Sequence, residues 1–168
     1  MSDKSMGGGL DRRLINGFGA LACGGLLGYA LYAQHVLGLE PCPLCVFQRV
    51  AVLALGFVLL AAYVHNPGRT GTRIYGGLAI LAAGAGIGVA WRQLWLQNLP
   101  PDQVPECGPG FNFIMDVFPL WEAIGMVLKG SGDCAKIDWT FLGLSMAGWV
   151  VISLVGLASI AAWNNFRR

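Results

Sequence analysis

Charge is scarce in this chain of 168 residues. Lys, Arg, Asp and Glu make up 12%, against roughly a quarter in soluble domains, while hydrophobic residues reach 55%. That composition excludes an ordinary soluble domain and points to a membrane protein. A net charge of +2, with no basic stripe or aromatic-interleaved patch, argues against nucleic acid. Other chemistries are missing as well. There is no dinucleotide fingerprint, no phosphate loop between a strand and a helix, and no iron-sulfur array of cysteines. Haem attachment fails because the residue after Cys45 is Val46 and not His. The two histidines, His35 and His65, have no second ligand at helical spacing and read as surface or packing residues.

What is present is apolar length. Four runs, Leu14 to Val36, Val46 to Val64, Ile74 to Leu94 and Trp139 to Trp163, each approach the 20 or so residues that cross a hydrocarbon core of about 30 Å. The expected fold is an all-α membrane protein, a four-transmembrane-helix bundle forming a single domain over 14–163. It has two outer loops, 37–45 and 95–138, the second long and partly membrane-associated. The first run is too long for a signal-peptide core and lacks an A-x-A cleavage site, so it is expected to be retained. The polar start, Met1 to Asp11, reads as loose. Gly24 and Gly28 in the first span, and Gly84 and Gly88 in the third, have a spacing that lets helices approach closely in lipid.

Basic residues orient the bundle. Lys4, Arg12, Arg13, Arg69, Arg73, Arg167 and Arg168 fall on one side, which places the segments 1–13 and 164–168 in the cytoplasm. The two opposite loops then hold Cys42, Cys45, Cys107 and Cys134, on the side where disulfides persist. Cys23, in the middle of the first span, reads as inert.

Cys42 and Cys45 form the chemical focus. Pro43 suits the first turn of a helix, with Cys42 as its cap. Cys45 then lies where unsatisfied amide protons and the positive end of the helix dipole favour a thiolate. Arg49, four residues on, shares that helix face and can stabilise an anion. In the long loop Pro100, Pro101, Pro105 and Pro109 exclude a continuous helix before Phe111 and leave Cys107 extended and accessible. Part of Phe111 to Leu128 reads as an amphipathic segment on the outer leaflet, which would hold Cys134 near the first loop. Trp91 and Trp95 suit the headgroup region, and Arg92 can extend its head into it. Gln93 is either solvated or bonded to a ligand carbonyl.

Three readings compete for these cysteines. A zinc cage lacks a matching second Cys pair, and a static bridge in Cys-x-x-Cys closes too short a loop to stabilise much. Dithiol redox chemistry is favoured. With no other cofactor motif available, a lipid-soluble carrier such as quinone is the economical electron acceptor. The rival from another class is a membrane scaffold or small channel subunit with structural disulfides.

The segments Pro41 to Arg49 (Pro-Cys-Pro-Leu-Cys-Val-Phe-Gln-Arg), Ser131 to Ala135 (Ser-Gly-Asp-Cys-Ala) and Trp139 to Met146 (Trp-x-Phe-Leu-Gly-Leu-x-Met) together resemble the bacterial DsbB family of quinone-dependent thiol oxidases. The resemblance runs from Leu14 to Trp163. It implies an inner-membrane enzyme that reoxidises a periplasmic thiol oxidase of the DsbA type and passes the electrons to ubiquinone or menaquinone. It further implies that Cys107 accepts attack from the partner, that Cys134 pairs with it and relays electrons to Cys42, and that Cys45 contacts quinone. Arg49 would stabilise the charge-transfer state, and Met146 would line the quinone pocket. Better-known members carry a His near the outer end of the third span, where this chain has Gln93. That departure counts against proton transfer by this side chain and leaves it hydrogen bonding.

Overall fold

A computed structural model of the chain describes residues 4–100, 102–106, 113 and 116–167. Four long helices dominate: α1 (Lys4–His35), α2 (Pro43–His65), α3 (Arg69–Gln97) and α6 (Met146–Phe166). Between α3 and α6 lie two short helices, α4 (Leu120–Lys129) and α5 (Gly132–Ala135). A two-residue antiparallel pair follows, β1 (Thr140–Phe141) with β2 (Leu144–Ser145). Even α6, with 21 residues, is about 32 Å long at 1.5 Å per residue, enough to cross a bilayer core. All four long helices carry windows of mean hydropathy between 1.5 and 2.3. Their outward faces are as apolar as their inward ones, as Phe18, Leu21 and Leu81 illustrate, each about 70% exposed. Water would penalise that surface, whereas lipid does not. The protein is therefore a four-helix membrane bundle.

Neighbours in sequence pack as neighbours in space: α1 on α2, α2 on α3, and α3 on α6 over the most extensive seam. The mid-bundle core joins Cys23, Val52, Leu55, Leu59, Ala79, Ala83 and Leu154. Cys23 is buried there in a packing role, with its Cβ facing Gly56. A second cluster at the other end joins Cys42, Leu44, Leu96, Val127 and Cys134.

The helices approach most closely at glycines other than those singled out by their spacing. A Cβ on Gly24, Gly28, Gly84 or Gly88 would meet nothing within 4 Å, so these face outward. The close approach occurs at Gly86, where a Cβ would lie 2.6 Å from Leu154 Cδ1 and 2.9 Å from Ala51 Cβ. Gly86→Ala is accordingly expected to cost about 1–3 kcal/mol through overpacking, whereas Gly84→Ala should be neutral or slightly stabilising. Thermal melting in detergent checks this contrast; equal melting temperatures for the two variants would contradict the packing described.

Two boundaries differ from those expected. Helical backbone begins at Lys4, where a loose polar start was expected: with no proline before Arg12, the hydrogen-bond ladder continues outward from the span. The last helix starts at Met146 and not at Trp139. Leu142 (φ 51°) and Gly143 (φ 80°) reverse the chain between β1 and β2, and a left-handed turn cannot lie within a helix.

At the end of the bundle holding both termini, Asn16 of α1 is the hub of a buried polar cluster. Its Oδ1 accepts from Asn164 Nδ2 and Asn165 Nδ2, both at 3.1 Å, and its Nδ2 donates to Asn165 Oδ1 at 3.2 Å. Asn164 Nδ2 also donates to the Arg12 carbonyl. The cluster ties α1 to α6 where apolar packing between them is thin.

Candidate functional site

The site is built where α2 begins. Cys42 takes an extended backbone conformation (φ −65°, ψ 160°) and occupies the N-cap, and its Sγ accepts from the Cys45 amide at 3.2 Å. Pro43 at the first helical position leaves one fewer amide to satisfy. A thiol is a weak cap compared with a hydroxyl or carboxylate, so its presence here is better explained by reactivity than by helix stability.

Cys134 reaches the same place from the far end of the long connection. Gly130 makes the turn that brings it there: its φ of 79° favours glycine, and a Cβ on it would collide with Leu96. The short α5 then buries Cys134 completely. Cys134 is held well below the ordinary thiol range, first by a hydrogen bond from the Cys42 thiol and further by the Ser131 and Leu44 amides, against the opposing effect of burial. The Cys42 thiol is pushed upward by the same hydrogen bonds, first to Cys134 and then to Cys45, and by burial. Cys42 thus keeps its proton beside the Cys134 sulfur, which favours the anion.

Arg92 fixes the approach of this segment. Its Nη2 donates to the Lys129 carbonyl at 2.9 Å and its Nε to the Leu128 carbonyl at 3.4 Å, while the guanidinium lies 4.2 Å from the centre of the Trp95 ring. A cation on the last carbonyls of α4 satisfies them and opposes the helix dipole. The expected headgroup role gives way to this one because α4 offers acceptors within reach.

Gln93, from α3, is buried against Cys45. Its Oε1 accepts from Gln48 Nε2 at 2.6 Å, which leaves Nε2 as the donor to Cys45 Sγ at 3.4 Å. Gln48 was not singled out from the sequence. Its position three residues after Cys45, on the same helix face, was the available signal. Arg49 donates from Nη1 to Gln34 Oε1 and from Nη2 to the Ala30 carbonyl at 3.1 Å, so it braces α2 to α1. Gln34 too had escaped notice.

These side chains share a cleft of about 170 Å³. Cys42, Cys45, Gln48, Arg49, Gln93 and Met146 all line it, beside apolar wall from Leu26, Ala30, Val52 and Val150. The structure therefore brings together every sequence-derived site residue except Cys107, which lies outside the described residues.

Residues 12–164 match the family described as Disulfide bond formation protein DsbB. The chain belongs to the DsbB family. Among its relatives is disulfide bond formation protein B of Chromobacterium violaceum, 54% identical over 89% of this chain and 90% of the relative. The Marinobacter nauticus protein of the same name is 53% identical over 95% of each chain. That of Acinetobacter baumannii is 49% identical over 94% of this chain and 93% of its own. Membership in the DsbB family makes disulfide oxidoreduction the role of this membrane bundle.

Proposed function

We propose that the chain is an inner-membrane thiol oxidase that takes electron pairs from a reduced DsbA-type oxidase on the periplasmic side and delivers them to membrane quinone. Both termini then face the cytoplasm, and the four loop cysteines form the electron path. The observation that carries this reading is the placement of Cys134, from one outer connection, against Cys42 at the end of the other.

The sulfur steps follow from that placement. A partner thiolate attacks Cys107 in a Cys107–Cys134 disulfide, forming the mixed disulfide and releasing Cys134 as thiolate. Cys134 then attacks Cys42 in a Cys42–Cys45 disulfide. The Cys42–Cys134 bond forms, the Cys42–Cys45 bond breaks, and Cys45 leaves as a thiolate. Gln93 Nε2 and the amide end of α2 stabilise that leaving group. The second partner thiol resolves the mixed disulfide, so the partner loses two electrons and gains a disulfide.

A cleft with apolar walls and a few polar groups at its sulfur end suits a lipid-soluble carrier. Arg49, Gln93 and Met146 would hold quinone there, and quinone when bound supplies a two-electron acceptor. A DsbA-type partner, at about −120 mV, needs an acceptor more oxidising still.

The test is quinone absorbance with purified protein and reduced partner. Bleaching is expected with the wild-type chain, and Cys107→Ser should stop acceptance of partner electrons. Unchanged bleaching by Cys107→Ser would overturn the scheme.

Acidity offers a second check. Because Cys134 sits below the usual thiol range, its thiolate persists to lower pH and is lost only as pH falls through the lowered value. A thiol of ordinary acidity would lose roughly fifteenfold of its thiolate between pH 8.5 and pH 7. In the fully reduced chain, where the Cys42 thiol is present to donate, the ultraviolet thiolate absorbance that Cys134→Ser removes is expected to stay nearly level over that interval, and a fifteenfold fall would contradict it.

A further inference from the structure

A groove between α1 and α2 takes no part in the sulfur chemistry. It runs from the end of the bundle that carries the termini toward the middle, is walled by residues such as Leu14, Phe18, Leu21, Phe57 and Leu60, and encloses about 480 Å³. Its α1 wall from Leu14 to Leu27 is about 20 Å long at 1.5 Å per residue. One leaflet contributes about 15 Å of hydrocarbon, so a single acyl chain fits lengthwise. Gly24 opens one side of it, and a Cβ there would meet nothing within 4 Å.

An arginine stands at the groove's end. The Arg13 guanidinium lies 4.8 Å from the centre of the Tyr63 ring, and Tyr63 is the last wall residue of α2. Among the described residues Arg13 has no hydrogen-bond acceptor, whereas Arg12 Nη2 donates to the Arg167 carbonyl at 2.6 Å. Among the residues whose side chains are described, every acidic one lies in the outer connections, far along the chain from these arginines. A guanidinium at the hydrocarbon boundary takes a phosphate oxygen as its natural acceptor.

We infer that this groove binds an anionic phospholipid, with one acyl chain between α1 and α2 and its phosphate at Arg13. The acyl chain covers Phe18, Leu21 and Phe57, and the headgroup phosphate meets the guanidinium that Arg13 holds beside Tyr63.

Native mass spectrometry of the full chain, released from bilayers of equal dioleoylphosphatidylglycerol and dioleoylphosphatidylcholine, tests this. Wild type is expected to retain phosphatidylglycerol in preference, by roughly fivefold for each arginine engaged. Gly24→Leu fills the groove and should lose retained lipid of both kinds. Gly28→Leu is equally free of clashes but lies outside the groove, and it should keep its lipid. Arg13→Gln should retain lipid with the preference reduced about fivefold. Equal retention of the two lipids by wild type would overturn the inference, as would an unchanged preference in Arg13→Gln. Retention of added inorganic phosphate without lipid would also overturn it. Arg13→Gln decides the matter even if Gly24→Leu fails to fold.

Discussion

Cys45→Ser is expected to reduce steady-state quinone reduction by about 10³-fold or more, because the sulfur it removes has no substitute in the cleft. Serine keeps the size and the hydrogen bond to Gln93 but cannot form a disulfide with Cys42. Cys134 then has no bond to attack at Cys42, and the path stops after the Cys107–Cys134 disulfide has been consumed. The signature is a burst in which one equivalent of partner is oxidised per chain, followed by no turnover. Cys23→Ser, in the mid-bundle core, should leave turnover intact and thereby show that loss of a sulfur alone is not the cause. Sustained bleaching of quinone by Cys45→Ser would remove Cys45 from the electron path.

Asn16→Leu is expected to destabilise the bundle by about 3 kcal/mol. The substitution deletes three side-chain hydrogen bonds at once and leaves the buried Asn165 Oδ1 without its donor, while Asn164 Nδ2 keeps the Arg12 carbonyl and Asn165 Nδ2 the Ala161 carbonyl. Hydrogen bonds between helices in a bilayer average only about 0.6 kcal/mol in double-mutant cycles, since the separated helices find other partners. Three of those would give roughly 2 kcal/mol, and the orphaned Asn165 oxygen adds a desolvation cost of about 1–3 kcal/mol, only part of which is felt. Denaturation in mixed micelles measures the loss. A change below about 0.5 kcal/mol would mean that the cluster closes around the gap or contributes little.

The four spans could be read from the sequence because lipid imposes a length and an apolar composition that few other environments demand. The start of α2 was equally legible, since Pro43 after a capping residue admits few alternatives. The glycines were not. Spacing along a helix shows which residues share a face but not whether that face meets a helix or lipid, so Gly24 and Gly28 stood out while Gly86 did not. Trp139 to Ser145 looked like the start of a span because its side chains are apolar, whereas the backbone at Leu142 and Gly143 decides otherwise. Gln48 and Gln34 escaped because an uncharged amide on an apolar helix carries little signal until its partner from another helix is in view. Cys134 was expected near the first loop, and it packs against Cys42 there; what the sequence did not show is the Arg92 contact with α4, which joins residues far apart in the chain and so leaves no local pattern.

With Gln48 and Gln93 as its neighbours, Cys45 is surrounded by carboxamides that neither store nor release hydrogen ions near neutrality. On the proposed electron path, hydrogen ions that do not come from the Cys42 thiol would come from the cleft's rim, where the exposed side chains of Glu40, Lys136 and Asp138 stand open to water. On that path charge would enter this bundle through sulfur, and most hydrogen ions by a separate door.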